Sequence, residues 1–495
     1  MKKNFVLNFI LLFVVNLLVK PAWLYTDLMV QRETGEDYGL YFVLFNFSML
    51  FNMLLDFGIT NYNNRKIAAN ENKFKNYFSY IFSLRLVLAG IYLIVLLLSG
   101  WFLGYQKAAF YWLFVLGINQ ILLAAITYFR SNLTALKFFK WDSLVSVTDR
   151  IIMCSIILYL IFSANQKVNI SLFVNVQFYG YLFTAILALI ILVYKGGWVK
   201  PTWNWKFNLT VLKKSYPYAL IVVLMSAYSY SDSIMLDQML DNGKWENMIY
   251  AQSFRILMAG NSYVYLISVL LLPLFAKLIQ EKKEVQSLLK LSGTVVIFGT
   301  IVFVIIAYVY SLELMSLLYA HYDEWIPISE RFSFQENKIS NAEEVKYSAK
   351  VFSYLILGLV PMSFNYIYGV LLTAGGKMKI LNQIALLGLG GNVILNLFLI
   401  PMYGALGAAI ASIITQSLCA FGQWYFAYKE HKINFPFFHF LKFAVLILFT
   451  LNLSIYFHEN FKGVLGIIVI CISVIPYFFM VRFIKITNIK SLIKK

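Results

Sequence analysis

Five basic residues fall inside long apolar runs of the sequence, not between them: Lys20, Arg85, Arg150, Arg255 and Lys442. A charge in hydrocarbon is costly and marks a functional position by default. Lys442 stands at the start of its run and can snorkel to the interface. Lys20 lies deepest. Asn16, Lys20 and Asp27 are spaced i, i+4, i+11 and share one helical face. Arg85 and Arg150 stand a couple of turns in from one end of their runs, and Arg255 a couple of turns in from the opposite end. Cations held at such depth either line a water-filled cavity or snorkel to the interface. The neighbouring pair Asp149-Arg150 offers Arg150 a second reading, as half of a local ion pair.

The acids in these runs are Asp27, Asp56, Asp232 and Asp237. Ser48, Asn52 and Asp56 make an i, i+4, i+8 polar stripe, and Tyr228, Ser229 and Asp232 cluster in mid-run. A buried carboxylate without a cation holds its proton and can carry one. Paired with Lys20 or an arginine, it is a structural or gating ion pair instead. Both readings stay open for Asp27, Asp56 and Asp232. Asp237 is five residues from Asp232, faces another direction and belongs to the outer mouth.

Membrane-spanning helices must position these groups. The 495 residues are 61% hydrophobic, 18% aromatic and 13% charged, against about 25% charged in an ordinary soluble chain. That excludes a soluble multidomain enzyme, a disordered protein and a disulfide scaffold. The apolar runs are continuous over ~20 residues, not alternating over ~10, which excludes a β-barrel. The runs predict an all-α integral membrane protein with about fourteen transmembrane helices, near 5–30, 38–62, 78–100, 108–130, 143–163, 170–194, 215–240, 248–276, 290–310, 350–374, 378–400, 404–428, 439–457 and 462–482. The first run is too long for a cleavable signal peptide, contains Lys20 and lacks a small-residue cleavage site. Cys154, Cys419 and Cys471 sit in apolar runs as small hydrophobes. His321, His431, His439 and His458 have no ligand spacing, so no metal and no cofactor is expected. No phosphate-binding Gly-Lys-Ser/Thr loop is present to make an ATPase.

Loop charges set the orientation. With the N-terminus in the cytoplasm, the inner segments collect most of the 41 basic residues, among them Arg65, Lys66, Arg130, Lys137, Lys213, Lys214, Lys282, Lys377 and Lys429. The outer side holds few, including Arg32, Lys107, Lys167 and Arg331. This asymmetry places both termini inside. The net charge of +18 is therefore a topological and lipid-facing signal, and nucleic acid is not a partner. The tryptophans Trp101, Trp198, Trp203, Trp205, Trp245, Trp325 and Trp424 fall near span ends as an interfacial belt. The one long outer loop, Ser311 to about Ala349, is acidic.

Asp37-Tyr38-Gly39-Leu40-Tyr41 and Glu246-Asn247-Met248-Ile249-Tyr250 each open a helix after a short acidic outer turn. They suggest two similar six-helix lobes in the same orientation, a parallel pseudo-repeat, plus a C-terminal helix pair. The expected division is an N-lobe at 1–194, a basic cytoplasmic linker at 195–214, a C-lobe at 215–428, and a last helix pair with a basic tail at 429–495.

The most distinctive string runs from Asn392 through Asn396, Pro401 and Gly404 to Gly407, Ala408, Ala411 and Ser412. Its small-xxx-small pairs, Gly404/Ala408 and Gly407/Ala411, predict a close-packed helical hairpin. This string resembles the signature of Wzx-type oligosaccharide flippases, O-antigen and polysaccharide biosynthesis proteins of the MATE/MOP superfamily. Tyr38-Gly39-Leu40-Tyr41, Leu55-Asp56-Phe57-Gly58 with Asn61 to Arg65, Asp232 to Leu236, and Leu372 to Lys377 resemble other segments of that family. Asp237 departs from it, standing where a glycine is usual, and the long outer loop departs too.

The resemblance implies a two-lobed bundle opening alternately to each side. It implies transport without covalent chemistry, of a polyprenyl-diphosphate-linked oligosaccharide, from the cytoplasmic to the periplasmic leaflet of a bacterial inner membrane. In such a protein Lys20, Arg85, Arg150 and Arg255 would hold the diphosphate, and Asp27, Asp56 or Asp232 would couple an ion gradient or gate. The partners would be the lipid-linked saccharide, membrane lipids and a polysaccharide polymerase. Two alternatives stand beside it. A MATE-like cation-coupled exporter of small molecules would need an acidic cavity. A membrane polysaccharide polymerase would need more cations than Arg331 in its outer loop.

Overall fold

In lipid every backbone N–H and C=O must find a partner within the chain, so apolar runs of this length become helices. The computed structural model describes residues 2–70, 74–105, 107–163, 167–197, 199–321, 336–431, 433, 437–461 and 464–480. Lys73, Trp198, Trp325, Arg331, Lys432, Lys462 and the basic tail 481–495 lie outside the described residues. Every long element is a helix.

Contacts divide the chain at Met248 into two units. The first holds α1 (Lys2–Thr34), α2 (Glu36–Leu50), α3 (Met53–Asp56), α4 (Ile59–Ala69), α5 (Phe74–Phe102), α6 (Lys107–Ala135), α7 (Phe139–Phe162), α8 (Ile170–Gly196) and α9 (Trp205–Met239). The helix α10 (Gly243–Gln280) leads into the second unit. That unit continues with α11 (Gln286–Val309), α12 (Ser311–Tyr319), α13 (Ala342–Leu357), α14 (Leu359–Ala374), α15 (Met378–Tyr403), α16 (Ala405–His431), α17 (Phe437–Asn460) and α18 (Val464–Met480).

Among the described residues, 11 segments are long and apolar enough to cross a membrane. They coincide with eleven of the predicted runs. The other three runs fall on α1, α9 and α18, the last a helix of 17 residues. The contact division differs from the repeat-based lobes. The helix α9, expected to open the second lobe, packs on α2 within the first unit. Its first turns, Trp205 onward, are already helical, so among the described residues of the expected linker only Gly197 and 199–204 lie outside helices. That stretch is tied to α5: Ser79 Oγ donates to the Lys200 carbonyl at 2.7 Å, and the Thr202 N–H donates to Ser79 Oγ at 3.0 Å.

In the first unit α1 packs along α7, α6 against α8 and α4, and α7 against α8. Buried amides pin these pairs. Asn63 Nδ2 donates to Asn132 Oδ1 at 2.9 Å, and Asn64 reaches the Ser131 carbonyl and Thr134, each at 3.0 Å. Gly39 lets α2 cross the start of α10, because a Cβ there would collide with the Lys244 carbonyl.

Two departures from the predicted spans concern the second and tenth runs. The second is not one helix over 38–62. It breaks at Phe57 and Gly58, both left-handed, with φ of 47° and 74°. A bulky residue rarely adopts that conformation, and the break is taken up by Asp56, as described below. The acidic outer segment is partly helical. It contains α12 and the first turns of α13, and Glu313 of α12 meets His458 of α17 at 2.7 Å.

The hairpin of α15 and α16 follows the small-residue string. Gly404 turns the chain at φ 57°, and a Cβ on Gly407 would run into the Leu399 carbonyl. Gly407→Val is therefore expected to destabilise the second unit by about 1–3 kcal/mol through forced separation of the two backbones. Thermal melting in detergent reads this, and a wild-type melt would refute the close crossing.

Candidate functional site

The deepest predicted cation meets another on a packed pair of helices. Lys20 of α1 and Arg150 of α7 lie within electrostatic reach of each other, and both are half-buried. A turn or two further along, Cys154 of α7 lies beside Thr26 of α1. These two matches, in the same order along both helices, mean that α1 and α7 run in the same direction. Two like charges side by side repel, and among the described residues the hydrogen bond of the Arg150 guanidinium is a long 3.4 Å contact with the Ser146 carbonyl one turn back. No ion pair joins Lys20 to a carboxylate among the described residues. Nothing in helix packing requires this arrangement. Chemically it offers two donors and two positive charges to an anion.

Asp27 lies on α1 beyond Lys20 and is 4% exposed. The Tyr38 hydroxyl of α2 sits 2.9 Å from both of its oxygens and donates to them. The network continues through aromatic contacts. Tyr38 meets Tyr41 edge-on at 5.2 Å, the Gln177 side chain of α8 donates to the Tyr41 hydroxyl at 2.9 Å, and Phe173 stacks on Trp23. Asp27 thus fixes α1 to α2, while the side chain of Asn16, expected on the same face, lies outside the described residues.

Arg85 and Asp56 come together, which sequence spacing alone left open. The Arg85 guanidinium engages the Asp56 carboxylate and the Thr60 hydroxyl, donates to the Ala124 carbonyl at 3.2 Å, and lies 4.6 Å over the Tyr128 ring. Asp56 also accepts the Thr60 N–H at 3.1 Å, capping α4 where the left-handed break begins a new helix. Arg85 is 8% exposed and its donors are largely taken.

The remaining predicted residues lie on other helices. Asp232 is buried on α9 beside the fully buried Ser233. Asp237, near the end of α9, accepts from the Tyr105 hydroxyl at 3.3 Å and from Gln238 at 3.1 Å. Arg255 is half-buried on α10 in the second unit, next to a buried polar group in which Gln252 hydrogen-bonds Ser348 and Glu344 of α13. A cavity of about 380 Å³ between α14 and α16 is lined by Val360, Pro361, Phe364, Ser417, Ala420, Phe421 and Trp424, and none of the predicted cations reaches it. Sequence reasoning set Asp149 aside as a local partner of Arg150. It is 6% exposed, and among the described residues its Oδ1 has no hydrogen-bond partner.

The sequence model of a family described as "Polysaccharide biosynthesis protein" matches residues 5–279. No curated protein matches the chain. Several solved structures are similar. One is the lipid II flippase MurJ in an inward closed conformation, with a TM-score of 0.72 at 15% identity, covering 96% of this chain and 98% of that one. A second is an inward-facing multidrug resistance MATE family transporter of the MOP superfamily, with a TM-score of 0.59 at 13% identity, covering 83% and 94%. A third is a MOP superfamily transporter from Pyrococcus furiosus, described by the reverse polarity of its binding pocket, with a TM-score of 0.57 at 13% identity, covering 86% and 94%. At these identities the likeness is one of fold.

Proposed function

Because the chain belongs to the polysaccharide biosynthesis protein family and has the MOP fold, we propose that it is a flippase for a polyprenyl-diphosphate-linked oligosaccharide repeat unit. It moves that unit from the cytoplasmic to the outer leaflet of a bacterial inner membrane by alternating access coupled to an ion gradient, and it performs no covalent chemistry. The similar lipid II flippase takes, by its name, a lipid-linked substrate, and polysaccharide synthesis requires the same service for its own repeat. The observation that carries the reading is the pair of half-buried cations, Lys20 and Arg150, on adjoining helices. A diphosphate head supplies the negative charge that such a pair lacks. Arg85, already engaged by Asp56 and Thr60, is a poorer ligand for it. Arg255 is assigned to the same class of ligand. An exporter of cations would be hindered by Lys20 and Arg150, and the transporter with a pocket of reverse polarity fits the view that the MOP fold serves ligands of either charge.

Deletion of the gene in its host tests the reading. The expected result is a single lipid-linked repeat unit that accumulates and resists a glycosidase admitted to the outer face. A unit that accumulates and is digested has already crossed, which would make the protein a polymerase. Normal surface polysaccharide with no accumulation would overturn the flippase reading.

A further inference from the structure

Asp149 has no part in the ion-pair or ligand assignments above. Its carboxylate is buried at 6% exposure, and Oδ1 finds no hydrogen-bond donor among the described residues. Leaving a buried acceptor unmatched costs about 1–3 kcal/mol, more for a charged group, so such a group needs a reason.

Its charged surroundings are few. On its own helix Arg150 is adjacent, and Asp142 lies two turns back, held by Arg130 of α6 at 2.7 Å. Arg150 and the more distant Arg130 are the charges that act on Asp149. From α1 come Lys20, which acts on Arg150, and Asp27, hydrogen-bonded to Tyr38. From α8 comes Gly180, set against the Asp149 backbone, where a Cβ would meet the carbonyl oxygen at 3.5 Å. The charged residue of α8, Lys195, lies over Trp141 at 5.8 Å, and its other titratable groups are tyrosines. Cys154, beside Thr26, completes the cluster.

With the site empty, Arg150 is repelled by Lys20 and attracted by Asp149. With a diphosphate present, the ligand and Asp149 compete for the same guanidinium. Two anions sharing one site favour protonation of one of them, and a neutral Asp149 lowers the net charge that must be buried. Resting on the assignment of Lys20 and Arg150 to the diphosphate, we propose that Asp149 is the counter-charge of the empty site and takes up a proton when the diphosphate binds. The proton comes from solvent, an O–H bond forms on the carboxylate, and it is lost again when the ligand leaves. The sign follows from linkage: binding that takes up a proton weakens as pH rises, by up to about tenfold per pH unit for one proton.

The test is calorimetric titration of the full-length protein in detergent with farnesyl diphosphate between pH 5.5 and 8.5, in buffers of different ionisation enthalpy. Wild type is expected to take up more protons than the titration of the free probe accounts for. Asp149→Asn is expected to lose that excess and to bind at least as tightly at high pH. Asp149→Glu, which keeps the carboxylate, should restore it. Equal proton uptake in wild type and Asp149→Asn overturns the proposal and leaves the cation assignment standing, provided Lys20→Ala still binds more weakly. If Asp149→Asn fails to fold, wild type decides alone: uptake fully explained by the probe overturns the proposal. Wild-type binding in both Lys20→Ala and Arg150→Ala overturns the cation assignment and this proposal with it.

Discussion

Lys20→Ala and Arg150→Ala are each expected to abolish complementation of the deletion strain, read as loss of surface polysaccharide, while the protein is made and inserted normally. A charge-assisted contact to phosphate is worth about 1.5–3 kcal/mol, so each loss should weaken binding of a polyprenyl diphosphate by roughly 10- to 150-fold. The melt separates this from a structural role. Lys20 acts on Arg150 as a like charge, so Lys20→Ala should leave the empty protein as stable as wild type or slightly more stable, whereas Arg150→Ala also removes the cation beside the buried Asp149 and should lose some stability. A structural ion pair through Lys20 would show the reverse, with stability lost in Lys20→Ala. Arg150→Lys should recover part of the activity, since Lys retains the charge and loses the planar fork. Full complementation by both alanine variants would remove the cation pair from the mechanism.

How far the sequence could be read depended on whether a feature is local. Spans are local, since hydrophobic length alone decides them, and the predicted runs find helices wherever the chain is described. The small-residue string from Asn392 to Ser412 is local too, and the hairpin of α15 and α16 follows from it. The depth of Lys20, Arg85 and Arg150 could likewise be read from distance to the run ends. Their partners could not. Arg85 and Asp56 are 29 positions apart, and only the packing of α5 beside the short α3 and α4 chooses Asp56 over Lys20. The break at Phe57 and Gly58 was hidden because Phe57 looks like one more apolar residue of a spanning helix, while its φ of 47° is imposed by the turn that lets Asp56 cap α4. Asp149 was discounted because adjacency to Arg150 suggested a pair. In a helix, neighbours in sequence point about 100° apart, so adjacency brings charge nearby without pairing the two side chains.

The Asp56–Arg85 pair gives the second large effect, and it falls on stability. Arg85 is 8% exposed and has Asp56 as its ion-pair partner. Asp56 is 37% exposed, so removing it leaves the buried guanidinium uncompensated at less than the full cost of a pair buried on both sides, about 1–3 kcal/mol. Asp56→Ala also loses the cap on α4, which adds about 1 kcal/mol. The expected result is a strongly lowered melting temperature in detergent for Asp56→Ala, a smaller drop for Asp56→Asn, which retains an acceptor for the Thr60 N–H, and substantial recovery in the double variant Asp56→Asn, Arg85→Met. Recovery follows because a buried pair replaced by apolar or neutral groups of similar volume is often close to neutral in stability. The same series decides between the two roles open to Asp56. A proton carrier mutated to asparagine keeps its fold and loses ion-coupled transport. The donors around Asp56 are the Thr60 N–H, the Thr60 hydroxyl and a guanidinium, a set that suits a carboxylate held in place better than one that must accept and release a proton in each cycle. Melting equal to wild type in Asp56→Asn, together with lost translocation, would move Asp56 from the scaffold of α3, α4 and α5 to the coupling machinery.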